Sequence, residues 1–409
     1  MGQQFNPSRV RVPGPLAPYA SGFVVELAGQ GYRPKSAVHQ LRLMAHLSRW
    51  LAGEGLEVAG LTALVVETFV AARRNAGYTT LYSGRAMERL LAYLRALGLV
   101  GPLEAAVTLT AAEELIERYR SYLLVERGLA VVTVVDYVSH VRPFIAGRAV
   151  DGGLDLESLQ ARDVTAFVVA QCLGRSRVWG KHLVCALRSL LRFLHVTGVL
   201  GESLIAAVPS VAGWRLTGLP RGLEPAQVRS VLASCDRGTA NGRRDFAILT
   251  LLVRMGLRAG ELAALELEDL DWRAGEIVVR GKGDRQERLP LPADVGSAIA
   301  DYLRRDRPAT AEGRNVFVRV RPPHRALTGG GVTQVVAAAG RRAGVGVVYA
   351  HRLRHTAATE MLRAGTPLGE IGQVLRHRRL QTTAIYAKVE VVPFAVEVGG
   401  GGRGVMVTR

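Results

Sequence analysis

The C-terminal part of the chain carries six polar residues of types that could act on a phosphodiester. Arg258 lies in Met255-Gly-Leu-Arg258-Ala-Gly-Glu261, just past a helix-ending glycine and shortly before a carboxylate able to hold it. His351 and Arg354 occur in His351-Arg-Leu-Arg354-His355-Thr356, a spacing that puts both on one face of the helix they open. His377 stands nine residues before Tyr386, with Thr382-Thr383 between them. Lys282 sits in Gly281-Lys282-Gly283-Asp284, at the tip of a hairpin. Attack on phosphorus by a tyrosyl oxygen requires charge to be spread over the non-bridging oxygens, which planar guanidiniums do well. It also requires that a phenol of pKa about 10 lose its proton and that the departing alkoxide gain one. Each of these roles has a candidate here.

Other readings of the same residues are weaker. His351 and His355 have the spacing of a zinc-protease pair, but Arg352 stands where that pair needs glutamate, and the neighbouring arginines would repel a cation. Tyr386 taken alone would be an ordinary core tyrosine, and Gly-Lys-Gly an ordinary turn. His355 reads as a packing residue. The histidines His39, His46, His140, His182, His195 and His324 lack comparable company.

Around Lys282, Glu276–Arg280 and Glu287–Leu291 read as two short strands of a β-hairpin. Asp245–Leu257 reads as an apolar helix leading to Arg258, and Ala350–Ala364 and Leu368–Leu375 as helices carrying the later residues. Pro225 fits the first turn of a helix beginning near Leu223. Residues 206–222 bear Pro and Gly without helical periodicity and read as a linker. The glycine-rich tail 399–404 reads as flexible.

Upstream lies an internal repeat. Leu90-Leu91-Ala-Tyr93-Leu94 with Gly98 matches Leu190-Leu191-Arg-Phe193-Leu194 with Gly198. Leu61, Val66, Phe69 and Val70 match Leu159, Val164, Phe167 and Val168, and the segment from Gly31 parallels that from Gly128. Two copies of one helical unit are expected, at about residues 15–104 and 109–205. Their long amphipathic helices run Ser36 to Leu51 and Thr133 to Ile145, and Gly98 and Gly198 act as C-caps.

Charge points to an acidic partner without separating DNA, RNA and anionic lipid. Lys and Arg number 53 against 35 Asp and Glu, a net charge of +18, and residues 213–409 hold 31 of those cations against 19 anions. Such a surface attracts a polyanion. Only Lys35, Lys181, Lys282 and Lys388 are lysines, and lysine, unlike arginine, can give up its proton at working pH. Cys172, Cys185 and Cys235 include no C-x-x-C pair, which disfavours both a disulfide framework and a thiolate zinc site. No apolar run reaches the ~18 residues of a membrane span, and Pro and Arg interrupt the N-terminus where a secretory signal would be apolar. A cytoplasmic protein without membrane contact is expected.

Five motifs in order, Gly-Leu-Arg258-x-Gly-Glu261-Leu, Gly-Lys282-Gly, His351-x-Leu-Arg354-His-Thr, Leu-x-His377 and Thr-Thr-x-x-Tyr386, resemble those of the tyrosine recombinases, the phage integrase family. The resemblance implies a mainly α fold: two SAM-like, core-binding-type helical domains (1–105 and 106–210), a linker (211–222), a helical catalytic domain with a small antiparallel β-hairpin sheet (223–390) and a tail (391–409). It implies Tyr386 as the nucleophile forming a 3′-phosphotyrosine bond, and Arg258 and Arg354 on the scissile phosphate. Lys282 would protonate the leaving 5′ oxygen, His351 would serve as general acid/base, His377 would bond a non-bridging oxygen and Glu261 would steady the arginines. No metal, ATP or other cofactor is implied. The partners implied are double-stranded DNA and further copies of the chain, a tetramer on a synapse of two sites, with exchange of the C-terminal tail. An idle-site DNA-binding or regulatory protein and a monomeric type IB-like topoisomerase are the alternatives. Integration, excision, inversion and transposition stay open, as does the need for accessory proteins.

The chain departs from the family pattern at Arg376, where glycine is usual. The run Arg376-His-Arg378-Arg379 is expected to contact DNA backbone. Arg175, Arg177 and Lys181 in the second helical unit, and Arg85 in the first, are further expected phosphate contacts. In place of the family's usual N-terminal arm-binding module stands the first helical copy.

Overall fold

The computed structural model describes residues 6–81, 83–101, 110–151, 153–211, 222–281 and 286–376. The chain forms two units, one made of residues up to 103 together with those from 218 onwards, the other of residues 104–217.

In the first unit the N-terminal helices are α1 (Ala20–Gly29), α2 (Pro34–Gly53), α3 (Ala63–Asn75) and α4 (Gly84–Ala96). Proline at the start of α2 and the Thr62 hydroxyl accepting from the Val65 N–H set two of the starts. Their apolar faces close on Phe23, Leu27, Leu41, Met44, Leu47, Phe69, Leu90 and Leu94. The second unit repeats the order: α5 (Ala111–Ser121), α6 (Val131–Ala146), a two-residue hairpin of β1 (Ala149–Val150) and β2 (Gly153–Leu154), α7 (Ala161–Cys172) and α8 (Arg177–Val196). Leu190, Leu191 and Leu194 on α8 are buried, as are Leu90, Leu91 and Leu94 on α4. Both helices end the same way. Gly98 and Gly198 take φ of 71° and 75°, and the two N–H groups that follow each helix fold back, Gly98 to Arg95 and Leu99 to Leu94, Gly198 to His195 and Val199 to Leu194. This double reach-back satisfies carbonyls that the helix end leaves open.

The rest of the first unit contains α9 (Pro225–Ala233), α10 (Ala240–Met255), α11 (Ala259–Ala263), β3 (Leu270–Asp271), β4 (Glu276–Arg280), β5 (Gln286–Pro290), α12 (Ala293–Arg305), α13 (Gly329–Arg342), α14 (Ala350–Arg363) and α15 (Leu368–Val374). The three strands form an antiparallel sheet in the order β3-β4-β5, with Ile277 opposite Leu289 and Val279 opposite Glu287. The hairpin is thus backed by a third strand, and its second strand lies one residue earlier than the pattern suggests. The helix leading to Arg258 begins earlier than its apolar run, because the Thr239 hydroxyl accepts from the Gly242 N–H and fixes the start at Ala240. Ile248, Leu251, Leu252, Ile277, Ile299, Phe317, Val336 and Leu353 share one core.

Within the first unit, the turn between α1 and α2 meets the loop before α13. The Tyr32 hydroxyl and an Arg89 N–H both approach the Pro322 carbonyl at 3.4 Å, and the Arg89 guanidinium lies over the Tyr32 ring. Gly31, at φ 83°, comes so close that a Cβ there would lie 2.7 Å from both His324 Nε2 and Thr310 Oγ1. The linker from 212 to 221 lies outside the described residues.

Candidate active site

Gly256 makes the site. It ends α10 at φ 59°, donating its N–H to the Leu252 carbonyl. A Cβ on it would lie 2.6 Å from Leu375 Cδ2 and 3.3 Å from Ala357 Cβ. Only a residue without a side chain lets the α10–α11 connection pass this close to α14 and the end of α15. Arg258 follows at the N-cap of α11, where Glu261 accepts from its backbone N–H at 2.9 Å and pairs with its guanidinium. The Arg258 side chain keeps nearly half its surface exposed, whereas Glu261 is buried. Burial alone would raise the Glu261 pKa. The Arg258 N–H and the charges of Arg376 and Arg258 outweigh it and hold the carboxyl below its ordinary value.

On α14 the three-residue spacing places His351 and Arg354 on neighbouring turns, with different surroundings. Arg354 is 2% exposed and donates to the Gly256 carbonyl at 2.6 Å and to the Leu375 carbonyl. A guanidinium therefore staples the end of α10 to the end of α15. His351 keeps an exposed face and packs against His355, ring centroids 4.3 Å apart. Partial burial, then the positive charges of Arg354 and Arg258, lower its pKa from the usual 6.5, so the ring is neutral at pH 7. Thr356, one turn on, is buried and accepts from the Leu223 N–H at 2.8 Å, tying the start of α9 to α14.

Arg376 corrects an expectation. Its guanidinium does not face outwards to a DNA backbone. It turns inwards onto Glu261 at 2.8 Å, with the side chain 4% exposed. Its carbonyl accepts from Arg258 Nη2 at 3.3 Å, and its backbone takes φ 54°, the left-handed region that glycine enters freely. The pull inwards comes from Glu261, a buried anion that one half-exposed arginine does not fully surround. Near the hairpin, Arg280 closes the end of β4 by pairing with Glu266 at 3.0 Å and with buried Asp269 at 2.9 Å. Lys282, His377, Arg378, Arg379 and Tyr386 lie outside the described residues.

A model of the phage integrase family matches residues 221–391, and a model of that family's N-terminal SAM-like domain matches residues 116–198. The chain is 40% identical over 382 residues to the putative integrase/recombinase y4rA of Sinorhizobium fredii, covering 92% of each protein. It is 31% identical over 281 residues to tyrosine recombinase XerD of Listeria monocytogenes, covering 68% of this chain and 94% of that one. The chain belongs to the phage integrase family of tyrosine recombinases.

Solved structures share the fold of this tyrosine recombinase. XerH bound to palindromic difH substrate, in a post-cleavage complex, superposes with a TM-score of 0.54 at 18% identity, covering 80% of this chain and 92% of that one. A lambda integrase (75–356) dimer bound to a COC′ core site gives 0.52 at 15% identity, covering 72% and 99%.

In the recombinase's second unit, Arg175, Arg177 and Lys181 are exposed at the start of α8. Ser176 caps that helix through the Trp179 N–H, and the Arg175 guanidinium stacks over the Trp179 ring at 4.3 Å. Arg85 is exposed in the first turn of α4. Among the described residues, no group of three His, Cys, Asp or Glu side chains could hold a metal ion, and no helix is long and apolar enough to cross a membrane. Sequence reasoning missed the roles of Thr356 and of Arg376 within the site. Thr356 lay in view inside the His-x-x-Arg-His-Thr motif, and the glycine usual at position 376 was a signal for its left-handed backbone.

Proposed function

We propose that this tyrosine recombinase cleaves and rejoins duplex DNA through a 3′-phosphotyrosine intermediate on Tyr386. The observation that carries this reading is the junction around Gly256. Arg258 and Arg354, from two elements far apart in sequence, bond the carbonyls of Arg376 and Leu375, the turn that leads directly into His377. Two fixed positive charges beside that turn suit a dianionic phosphorus transition state, because preorganised donors need no rearrangement when charge develops.

The Tyr386 oxygen attacks the scissile phosphorus, the bond to the 5′ oxygen breaks, and the ester passes to tyrosine. His351, neutral and partly open to solvent, takes the phenolic proton. Lys282 gives a proton to the departing 5′ oxygen, and His377 donates to a non-bridging oxygen. Rejoining runs the same step backwards with a 5′-hydroxyl from the partner strand. Bond energy is kept in the phosphotyrosine, so neither ATP nor metal is required. The substrate is double-stranded DNA gripped by exposed cations, Arg175, Arg177 and Lys181 on α8 and Arg85 on α4 among them. Residues 1–105 act as an added core-binding-type unit. Pairing of two sites calls for a tetramer, with the segment after Tyr386 docking on a neighbouring copy.

Nicked suicide duplexes drawn from the DNA flanking the gene test the reading. The wild type should trap a covalent protein–DNA adduct and Tyr386→Phe should trap none. An adduct that survives the substitution, or a wild type that binds and never cleaves, refutes it.

A further inference from the structure

We propose that Arg376 is a positioning residue for DNA cleavage: by occupying one oxygen of Glu261 with a buried guanidinium, it sets the pose of Arg258. This rests on the cleavage reading above. Three observations converge on it. The side chain is 4% exposed and reaches Glu261 Oε2 at 2.8 Å, the same oxygen that accepts from the Arg258 backbone N–H. The other oxygen, Oε1, is left to the Arg258 guanidinium, so one carboxylate is divided between two cations and fixes both. The Arg376 carbonyl takes a further Arg258 N–H at 3.3 Å, so side chain and backbone of one residue act on the same arginine.

The arrangement is held against its local preferences. A non-glycine residue at φ 54° is strained, and Arg376 Nε is buried with no hydrogen-bond partner among the described residues. Glycine would remove both penalties and would also remove the second cation on Glu261. Glu261 Oε2, released from Arg376, could then also turn to the Arg258 guanidinium, changing where that guanidinium points and how much positive charge it offers a phosphate. Misplacement of this kind acts on rate more than on affinity, because the DNA is gripped over many other contacts.

A double-mutant cycle on full-length protein tests the proposal, using the same nicked duplexes for adduct formation and an intact duplex for affinity. Arg376→Gly suits the backbone and should fold. It should slow adduct formation about tenfold or more while changing affinity by less than about twofold. In a Glu261→Gln background the same change should alter the rate by less than about twofold, since Arg376 acts through that carboxylate. Arg376→Lys, which keeps the cation, should recover most of the rate. Additive effects, or affinity falling in step with rate, would overturn the proposal, as would a rate unaffected by Arg376→Gly. A wild type that forms no adduct overturns the cleavage reading and the positioning role together, whereas an active wild type with an additive cycle overturns this role alone.

Discussion

At the scale of single residues the site is an electrostatic balance around one carboxylate. Glu261 is buried between a buried and a half-exposed arginine. Removing a buried charge's partner costs about 3–5 kcal/mol, and only the share from the exposed Arg258 is screened by solvent. The depressed Glu261 pKa favours the fold above pH 4.5, and that contribution is lost as pH falls through the folded value. His351 follows the same sign in a higher pH window. Its folded pKa lies below 6.5, so as pH drops from 6.5 the unfolded ring takes up its proton first, and stability falls until the folded ring is protonated too. For cleavage the neutral ring is the useful form. The rate of adduct formation should therefore show an acid limb with a midpoint below 6.5, and His351→Ala should abolish that limb while lowering the rate about 100-fold. A limb unchanged in the variant would assign the proton transfer to another group. The types and spacing of Arg258, Glu261, His351 and Arg354 were legible in the sequence, because each lies in a short motif. The inward turn of Arg376 was not, because it depends on a carboxylate 115 residues away, and a run of arginines reads locally as a solvated face.

At the scale of elements, backbone geometry brings these residues together. Helices with a cap, an amphipathic run and a glycine stop were legible, as were the β-hairpin and the Gly98 and Gly198 ends, since all of these signals are local. The two-residue strand β3 was not, because it exists only through its pairing with β4, and a segment that short has no periodicity to read. Gly256 combines two demands that sequence separates poorly, a left-handed turn and a close approach. Its φ of 59° alone costs an alanine about 1–2 kcal/mol. The added methyl must also displace the Leu375 methyl, which can swing aside, and crowd Ala357 Cβ, which has no rotamer to change. Gly256→Ala should lower stability by about 2–3 kcal/mol, read from the denaturant midpoint. The Arg354 bonds to Gly256 and Leu375 span the same gap, so cleavage should fall further than the loss of folded protein accounts for. Cleavage falling only in proportion to folded protein would mean that this junction does not position the arginines.

At the scale of the whole molecule, one helical plan occurs twice with different surroundings for its first turn. Gly31 and Gly128 occupy matching places before α2 and α6, and both take positive φ, 83° and 56°. Their environments differ. A Cβ on Gly128 would meet nothing within 4 Å, whereas one on Gly31 would strike His324 and Thr310, which lie nearly three hundred residues away in the chain. Matching periodicity made the two copies legible, but a contact of that sequence separation leaves no trace in any local window. The pair also separates two causes of strain. Gly128→Ala should cost only the left-handed conformation, about 1–2 kcal/mol. Gly31→Ala should cost that amount plus the displacement of the His324 and Thr310 side chains that lie against the α1–α2 turn, and the nearby Tyr32 and Arg89 contacts to Pro322 in the 319–325 loop would be lost as well. Hydrogen exchange on the two variants should therefore differ in kind: loss of protection limited to the start of α6 for Gly128→Ala, and loss at both Tyr32 and the 319–325 loop for Gly31→Ala. Equal and purely local effects would show that the α1–α2 turn and the loop are not mechanically joined in solution.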